Sequence, residues 1–366
     1  MTATLSNHTN TTGVSEENGS SNDNYADLTR SLNIMSVVIY SMDFVLGVFG
    51  NGVVIWVTGF KMKKTVNTVW ILNLAVADLL FTAFLPFSAT YTALGFHWPF
   101  GNFMCKLDNT VRFLNMFASV YILVVISVDR YVSVVWPVWA QNNRNVRKAS
   151  CVSLGVWVLG LILSSPCFIF RDLWLSSDNE TIRCYDNYAF SDDLDNPSVK
   201  QLLMLRFKAM TITRFLLGFV VPFTVIVSCY AMIIHRLRRN RTRASHSSRP
   251  FKIIAAVITA FFLCWAPFYI MTLIELWYHI DNRSSGVLKL VVTIGVPLAT
   301  SLAYLNSCLN PLLYVFMGRD FKDKVRKSIL NVFETAFREE VSRLHTDTKS
   351  VDTSQSLDMS ILNTQV

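Results

Sequence analysis

Residues 103–136 read FMCKLDNTVRFLNMFASVYILVVISVDRYVSVVW. A cysteine, Cys105, stands near one end and Asp129-Arg130-Tyr131 near the other; the charges between them are Lys106, Asp108 and Arg112. At about 1.5 Å per helical residue the run is long enough to cross the ~30 Å hydrocarbon layer of a bilayer. Backbone N–H and C=O groups find no water there, so the run must be a helix. Working outward from it, six further apolar segments appear, giving seven in all: 32–59, 68–93, 103–136, 148–169, 207–234, 251–277 and 288–316. Pro86, Pro166, Pro222, Pro267, Pro297 and Pro311 lie inside them and predict kinks that packing in a membrane tolerates.

The composition agrees. Of 366 residues, 52% are hydrophobic and 16% charged, and the mean hydropathy is +0.38. Soluble domains carry roughly 25% charged residues, so this chain is short of the charge that coats a water-facing surface. Disorder, collagen-like repeats and a disulfide-rich secreted scaffold are excluded by the same numbers. The expected fold is an all-α membrane protein, a seven-transmembrane helix bundle with a short amphipathic eighth helix. The expected divisions are a glycosylated, disordered N-terminus over 1–31, the bundle over 32–316, a membrane-surface helix over 317–330 and a phosphorylatable disordered tail over 331–366.

Basic residues set the expected orientation. Lys61, Lys63 and Lys64 follow the first span, Arg144, Arg147 and Lys148 the third, and Arg236, Arg238, Arg239, Arg241, Arg243, Arg249 and Lys252 the fifth. Arg319, Lys322, Lys324, Arg326 and Lys327 follow the last, whereas Arg30 is the one basic residue before the first. The positive-inside rule then places the N-terminus outside and the C-terminus in the cytoplasm. The net charge of +8 is read as a topology signal and a contact for anionic lipid or an acidic partner, with no nucleic acid involved. Sequons at Asn7, Asn10, Asn18, Asn179 and Asn282 fall on the side expected to be extracellular. No charged and apolar leader precedes residue 31, so the first span is expected to direct insertion. Five of seven cysteines lie in spans; Cys105 and Cys184 fall on the oxidising side and are expected to pair across the outer mouth.

Ionisable and amide side chains inside a span mark function by default. At mid-depth lie Asn51, Asp78, Ser119, Asn306 and Asn310. One carboxylate among neutral oxygens suits sodium, and equally a hydrogen-bonded network between helices. At the inner edge, Arg130 lies 25 residues past Cys105. An adjacent acid and base there can pair in one state and part in another. Nearer the mouth lie Asp43, Arg112, Arg214 and Glu275. Buried guanidiniums under a capped mouth invite an anion such as a peptide carboxylate; snorkelling, or pairing with Asp43 or Asp108, is the bland alternative. Trp265 beside Pro267 is a candidate transmitter of ligand pressure along a hinged helix. No zinc-protease, nucleophile-elbow or phosphate-loop motif occurs, so an enzyme is not expected. A transporter or channel is the remote alternative, since no internal repeat is visible.

The pattern resembles the class A (rhodopsin-like) G protein-coupled receptors. It runs through Gly50-Asn51, Asn73-Leu-Ala-Val-Ala-Asp78, Asp129-Arg130-Tyr131, Trp157, Pro222 with Tyr230, Cys264-Trp265-Ala-Pro267 and Asn310-Pro311-Leu-Leu-Tyr314. More narrowly it is similar to the chemoattractant peptide receptors, the chemerin-receptor group among them. The strings that carry this are Phe60-Lys-Met-Lys-Lys-Thr-Val66, His97-Trp98-Pro-Phe-Gly101, Asn115-Met116-Phe117, Phe170-Arg171-Asp172, Thr211-Ile-Thr-Arg-Phe215 and Pro297-Leu-Ala-Thr300.

The resemblance implies a ligand site at Arg214, Glu275, Arg112, Asn115, Met116 and Arg171. It also implies a switch through Asp129, Arg130, Tyr131, Tyr230, Trp265, Pro267, Asn310, Pro311 and Tyr314. The implied partners are a chemerin-like peptide or protein chemoattractant, an inhibitory heterotrimeric G protein, arrestin, receptor kinases and membrane lipids. Sodium is the implied allosteric ion, at Asp78, Ser119, Asn306 and Asn310, and no other cofactor is expected. Chemotactic signalling at the plasma membrane is the implied role, with a weakly coupled scavenger or a formyl-peptide-like receptor as alternatives. Phe113 stands where formyl peptide receptors carry an acid, and Arg112 and Asp43 are charged where the chemerin receptor is expected to be neutral. Thr346, Thr348, Ser350, Thr353, Ser354 and Ser356 offer phosphorylation sites in the tail, which holds no cysteine for a palmitoyl anchor.

Overall fold

The computed structural model describes residues 19–176, 180–189, 196–239, 249–280 and 286–317, with residues 323 and 326. Side chains are not described for 19–25, 237, 249–253 and 315–317. Among these residues, seven helices are long and apolar enough to cross a membrane. They comprise α1 (Gly19–Trp56, continued by a π turn over Val57–Lys61), α2 (Val66–Ala93), α3 (Gly101–Val135), α5 (Val146–Phe170), α6 with α7, α8 (Arg249–Ile280) and α9 (Gly286–Met317). A short α4 (Pro137–Asn143) joins α3 to α5. The fifth span is α6 (Pro197–Phe215) and α7 (Val221–Arg239), joined by a π turn over Leu216–Val220. Residues from Arg319 on form a separate unit, and the expected eighth helix and tail lie outside the described residues.

Local chemistry fixes the helix ends. Thr65 and Thr68 form a capping box, each side chain meeting the other's backbone N–H, so α2 starts sharply after the lysines of the preceding turn. Asn145 accepts from the Lys148 N–H at 2.9 Å and starts α5. Asn196 caps α6, with Pro197 in its first turn. Pro222 has no N–H to return to Gly218, and the π turn just before it absorbs the mismatch through Val221 N–H to Leu216 O.

Two helices outrun their apolar segments. The first begins at Gly19, not near residue 32, and the fifth at Pro197, not near 207. The first extension is polar; the second, 197–206, sets Lys200, Gln201 and Arg206 among Leu202, Leu203, Met204 and Leu205, and has no Pro beyond its first turn. Once an apolar span nucleates a helix, each further residue adds a hydrogen bond at little cost. The expectation of disorder through residue 31 is therefore replaced by helix over 19–31.

α3 is the most enclosed of the spans. It packs on α2, α5 and α7, while α1 rests on α2 and α9, and α8 on α9. The other helices expose large apolar side chains such as Val45, Phe49, Leu154, Ile162 and Leu263, which is the surface a lipid-facing bundle presents. Trp157 Nε1 donates to Asn73 Oδ1 at 2.9 Å and staples α5 to α2.

One end of the bundle is closed by a hairpin of β1 (Arg171–Leu175) and β2 (Ile182–Asp186), antiparallel with Leu173 opposite Cys184. The Cys105–Cys184 disulfide ties β2 to the start of α3. The 94–101 turn holds it from the other side: Trp98 N–H donates to Ile182 O at 2.7 Å, and Ile182 N–H to His97 Nδ1 at 3.2 Å. Gly95 and Gly101 adopt positive φ there, where a side chain would strain the backbone. The sequons at Asn7, Asn10, Asn18, Asn179 and Asn282 give no structural check, since they lie outside the described residues or lack described side chains. Asn240-Arg241-Thr242 also fits the sequon and follows the basic end of α7, so sequons do not assign sides by themselves.

Candidate functional site

Three guanidiniums gather toward the hairpin end, and their partners differ. Arg112 Nη2 meets Asp108 Oδ2 at 2.6 Å, one turn earlier on α3, and Ser88 Oγ at 3.1 Å; its guanidinium lies 5.4 Å from the Tyr304 ring centre. Arg171 Nη1 lies 3.0 Å from Asp186 Oδ1, and its Nε donates to Cys184 Sγ at 3.3 Å. Burial alone would raise the Asp186 carboxyl, but Arg171, and after it Arg214, outweigh that and hold it below the usual carboxylate range. Arg214 is the third. Its Nη2 donates to the Cys167 thiol at 3.2 Å and its guanidinium lies 4.2 Å from the Phe113 ring centre. It has no carboxylate partner among the described residues, and its Nε has no hydrogen-bond acceptor. Glu275 is buried near the hairpin end of α8, next to Leu276, which packs against Tyr188 and Phe207.

Below these groups the sequence pair Asn115 and Met116 separates. The Met116 sulfur accepts from Tyr269 Oη at 3.0 Å. One edge of the Asn115 amide faces the Asp78 carboxylate at 3.3 Å and Ser119 Oγ at 3.2 Å, and the other Ser307 Oγ at 3.1 Å; an ionised Asp78 is met when the nitrogen is on the first edge. Asn115 thus belongs to the mid-depth cluster. There Asn310 Nδ2 donates to Asp78 Oδ2 at 2.8 Å, and Asn51 Nδ2 to the Gly47 and Ser307 carbonyls, both at 2.9 Å. The amide oxygens of Asn51, Asn306 and Asn310 are buried without a donor. A carboxylate with orphaned neutral oxygens is a donor set that fits a hard monovalent cation.

At the opposite, basic end, Asp129 does not pair with its neighbour Arg130. It holds Arg144 from the 144–145 turn, Nε to Oδ1 at 2.8 Å and Nη2 to Oδ2 at 3.0 Å. Arg144 also donates to Asn67 Oδ1 at 2.6 Å, and Arg130 Nη2 donates to that same oxygen. Of the two arrangements expected of Asp129-Arg130, this structure has the parted one: Asp129 pairs with Arg144, which is joined to Arg130 through Asn67. Tyr131 stacks edge-on to Trp136, with ring centres 5.6 Å apart. Arg130 and Tyr314 line a cavity of about 90 Å³ with Asn67, Trp70 and Val257. Tyr230 is on α7, its hydroxyl buried without a partner among the described residues. Trp265 packs against Phe261 and Phe268, with ring centres 5.9 and 5.6 Å away, on the stretch of α8 that holds Pro267. Pro311 of α9 abuts Gly50, where a Cβ would come within 3.1 Å of its ring.

Sequence reasoning singled out neither Asn67 nor Tyr269, and Arg144 entered only as a topology charge. An amide on α2 two turns before the Asp78-bearing stretch was the available signal for Asn67.

Comparison with known proteins accounts for this arrangement. Residues 50–314 match the pattern of the 7 transmembrane receptor (rhodopsin family). The chain is 47% identical to the pig (Sus scrofa) chemerin-like receptor 1 over 298 residues, 80% of this chain and 79% of that one. It is 44% identical to a C3a anaphylatoxin chemotactic receptor of Oncorhynchus mykiss, over 86% of this chain and 82% of the other. It is 38% identical to N-formyl peptide receptor 3 of Pan troglodytes, over 87% and 91%. These relatives are receptors, not enzymes, and the match runs through every span, so the chain belongs to the rhodopsin family of seven-transmembrane receptors, multi-pass proteins of the membrane.

Proposed function

We propose that this receptor answers a chemoattractant peptide or protein of the chemerin kind, whose anionic terminus meets Arg214, and that it signals through an inhibitory G protein. The observation that carries the reading is the contrast among three cations at the hairpin end, Arg171 buried and Arg112 and Arg214 partly buried. Arg112 has Asp108 and Arg171 has Asp186 in direct ion pairs, whereas Arg214 touches a thiol and an aromatic face and feels Asp186 only beyond ion-pair distance. A cation so enclosed is costly until an anion arrives, which makes it a receptor for one. The hairpin end then faces outside, in keeping with its disulfide, and the basic end faces the cytoplasm, where Arg130, Tyr230 and Tyr314 meet the G protein. Asp78, Ser119, Asn306 and Asn310 hold a sodium ion that favours the resting state. Phosphorylation of the tail recruits arrestin, and the receptor works in chemotaxis at the plasma membrane.

The test is suppression of cyclic AMP in cells given the C-terminal peptide of chemerin as free acid or as amide. A desolvated charge pair is worth about 2–5 kcal/mol, so Arg214→Glu should cost the acid roughly 30-fold or more in potency at unchanged surface expression. The amide should lose the same amount on the unaltered receptor and little more on Arg214→Glu. Equal potency of the acid on both receptors removes Arg214 from the ligand site.

A further inference from the structure

At the basic end of the bundle, a line of apolar side chains leaves the span of α3 and runs onto α4. Val128, Val132 and Trp136 follow one another at four-residue steps and so share one face of α3, and Trp139 stands in the first turn of α4. Val132, Trp136 and Trp139 line a cleft of about 360 Å³. Both indoles lie open, at 55% and 59% exposure, and Val128, about 12 Å before Trp136 along the helix, is exposed as well. Beside Trp139 stands a cation. Lys148 Nζ donates to Asn143 Oδ1 at 3.1 Å, and Asn143 Nδ2 donates to the Trp139 carbonyl at 3.2 Å, so one amide joins the ammonium to the turn that carries the indole. Lys148 is exposed and has no ion pair among the described residues. Arg147 beside it is exposed too, whereas Arg144 is met by Asp129. No acidic residue occurs between Arg130 and Arg171.

The face changes character along its length, and that decides what covers it. It starts within the apolar span, where Val128 meets hydrocarbon, passes two tryptophans of the kind that sit where a bilayer meets water, and ends at an unmatched positive charge. A water-soluble protein would meet the cation and the indoles but not the part of the face that lies in the membrane. A zwitterionic lipid brings a cation of its own beside its phosphate and answers Lys148 poorly. An amphiphile with an acyl chain and a net negative headgroup matches every part, since basic residues at a membrane surface attract anionic lipid. We propose that the cleft along Val132, Trp136 and Trp139 binds one anionic phospholipid, its acyl chain against the indoles and Val128 and its headgroup phosphate on Lys148. The consequence reaches the switch. The Trp136 ring lies edge-on to Tyr131, with centres 5.6 Å apart, so the bound chain packs one ring away from Tyr131 and steadies the corner between α3 and α4.

The test uses the full-length receptor in nanodiscs of phosphatidylcholine, into which phosphatidylserine or further phosphatidylcholine brominated on its acyl chain is titrated. Bromine quenches an indole only on contact, and the part of the quenching that is absent from a Trp136→Phe, Trp139→Phe double variant reports this cleft. Brominated phosphatidylserine should quench that part at a lower mole fraction than brominated phosphatidylcholine. Lys148→Gln, a change at an exposed position, should weaken the preference by about fivefold, the worth of one basic residue near a charged membrane surface, and Lys148→Arg should keep it. Equal quenching by the two lipids in the unaltered receptor overturns the site, as does a preference that Lys148→Gln leaves intact. Quenching by phosphatidylserine that persists in full in the double variant places the lipid elsewhere and overturns it too. Indoles that neither brominated lipid reaches, but that a bound G protein shields from iodide, would give the cleft to a protein partner and end the lipid reading.

Discussion

Gly218 is where three helices come closest, and a methyl group there gives a quantitative test. It sits in the π turn of the fifth span. A Cβ at this position would lie 2.0 Å from Tyr269 Oη, 3.1 Å from Met116 Cε and 3.2 Å from Tyr269 Cζ. The first distance is far inside van der Waals contact, and the others are tight but tolerable with a few tenths of an ångström of give. Gly218→Ala must therefore push the Tyr269 hydroxyl off the Met116 sulfur. Overpacking of this kind costs about 1–3 kcal/mol. Tyr269→Phe alone gives up one hydrogen bond to a weak sulfur acceptor, about 0.5–1.5 kcal/mol. Together they should cost less than Gly218→Ala alone, because removing the hydroxyl raises the closest approach from 2.0 to 3.1 Å, the distance to Met116 Cε. Two contacting residues that share one clash are not additive, and a coupling of about 1–2 kcal/mol is expected. The assay is the unfolding midpoint of the purified receptor with and without agonist. The order should be unaltered receptor, Tyr269→Phe, the double variant, then Gly218→Ala. A double variant less stable than either single one would refute the idea that the hydroxyl rests against the bare backbone of the turn.

Other outcomes follow from the same geometry. Asn67→Leu removes the oxygen shared by Arg130 and Arg144; hydrogen bonds to charged groups contribute about 1.5–3 kcal/mol each, so basal G protein activity should rise several-fold in a nucleotide-exchange assay, and an unchanged basal rate would show that Asn67 does not restrain Arg130. Cys105→Ala, Cys184→Ala and the double variant should lose agonist binding equally; additive losses would contradict a shared bridge as the cause. Asp186 has its folded pKa held below the unfolded value, so its stabilisation of the hairpin is present above about pH 4 and is lost as pH falls through the folded value. Agonist binding by the receptor and by Asp186→Asn should then differ at neutral pH and converge in acid, and a constant difference at all pH values would remove Asp186 as the source.

The spans were legible because burial in lipid is written into composition: a residue is either apolar enough to face hydrocarbon or it is not. Helix that continues into polar or mixed sequence, as over 19–31 and 197–206, leaves no such mark. Partners are harder. Arg130 and Arg144 meet at Asn67, 63 and 77 positions away, and nothing local in the chain announces a contact between helices. Asp129 and Arg130 are parted here, one of the two arrangements their adjacency allows, but that Arg144 takes the acid has no local sign in the chain. Yet the distinction on which the ligand reading rests was partly readable. Arg112 has an acid four residues before it, Asp108, the orientation in which a helix pairs charges. Arg214 has Met210 and Thr211 on one side and Leu217 and Gly218 on the other, so its own helix supplies no anion. A buried cation with an acid one turn away is a closed account, whereas one without must find its anion elsewhere. For Arg214 the hairpin's Asp186 is the nearest candidate, and Arg171 already holds it.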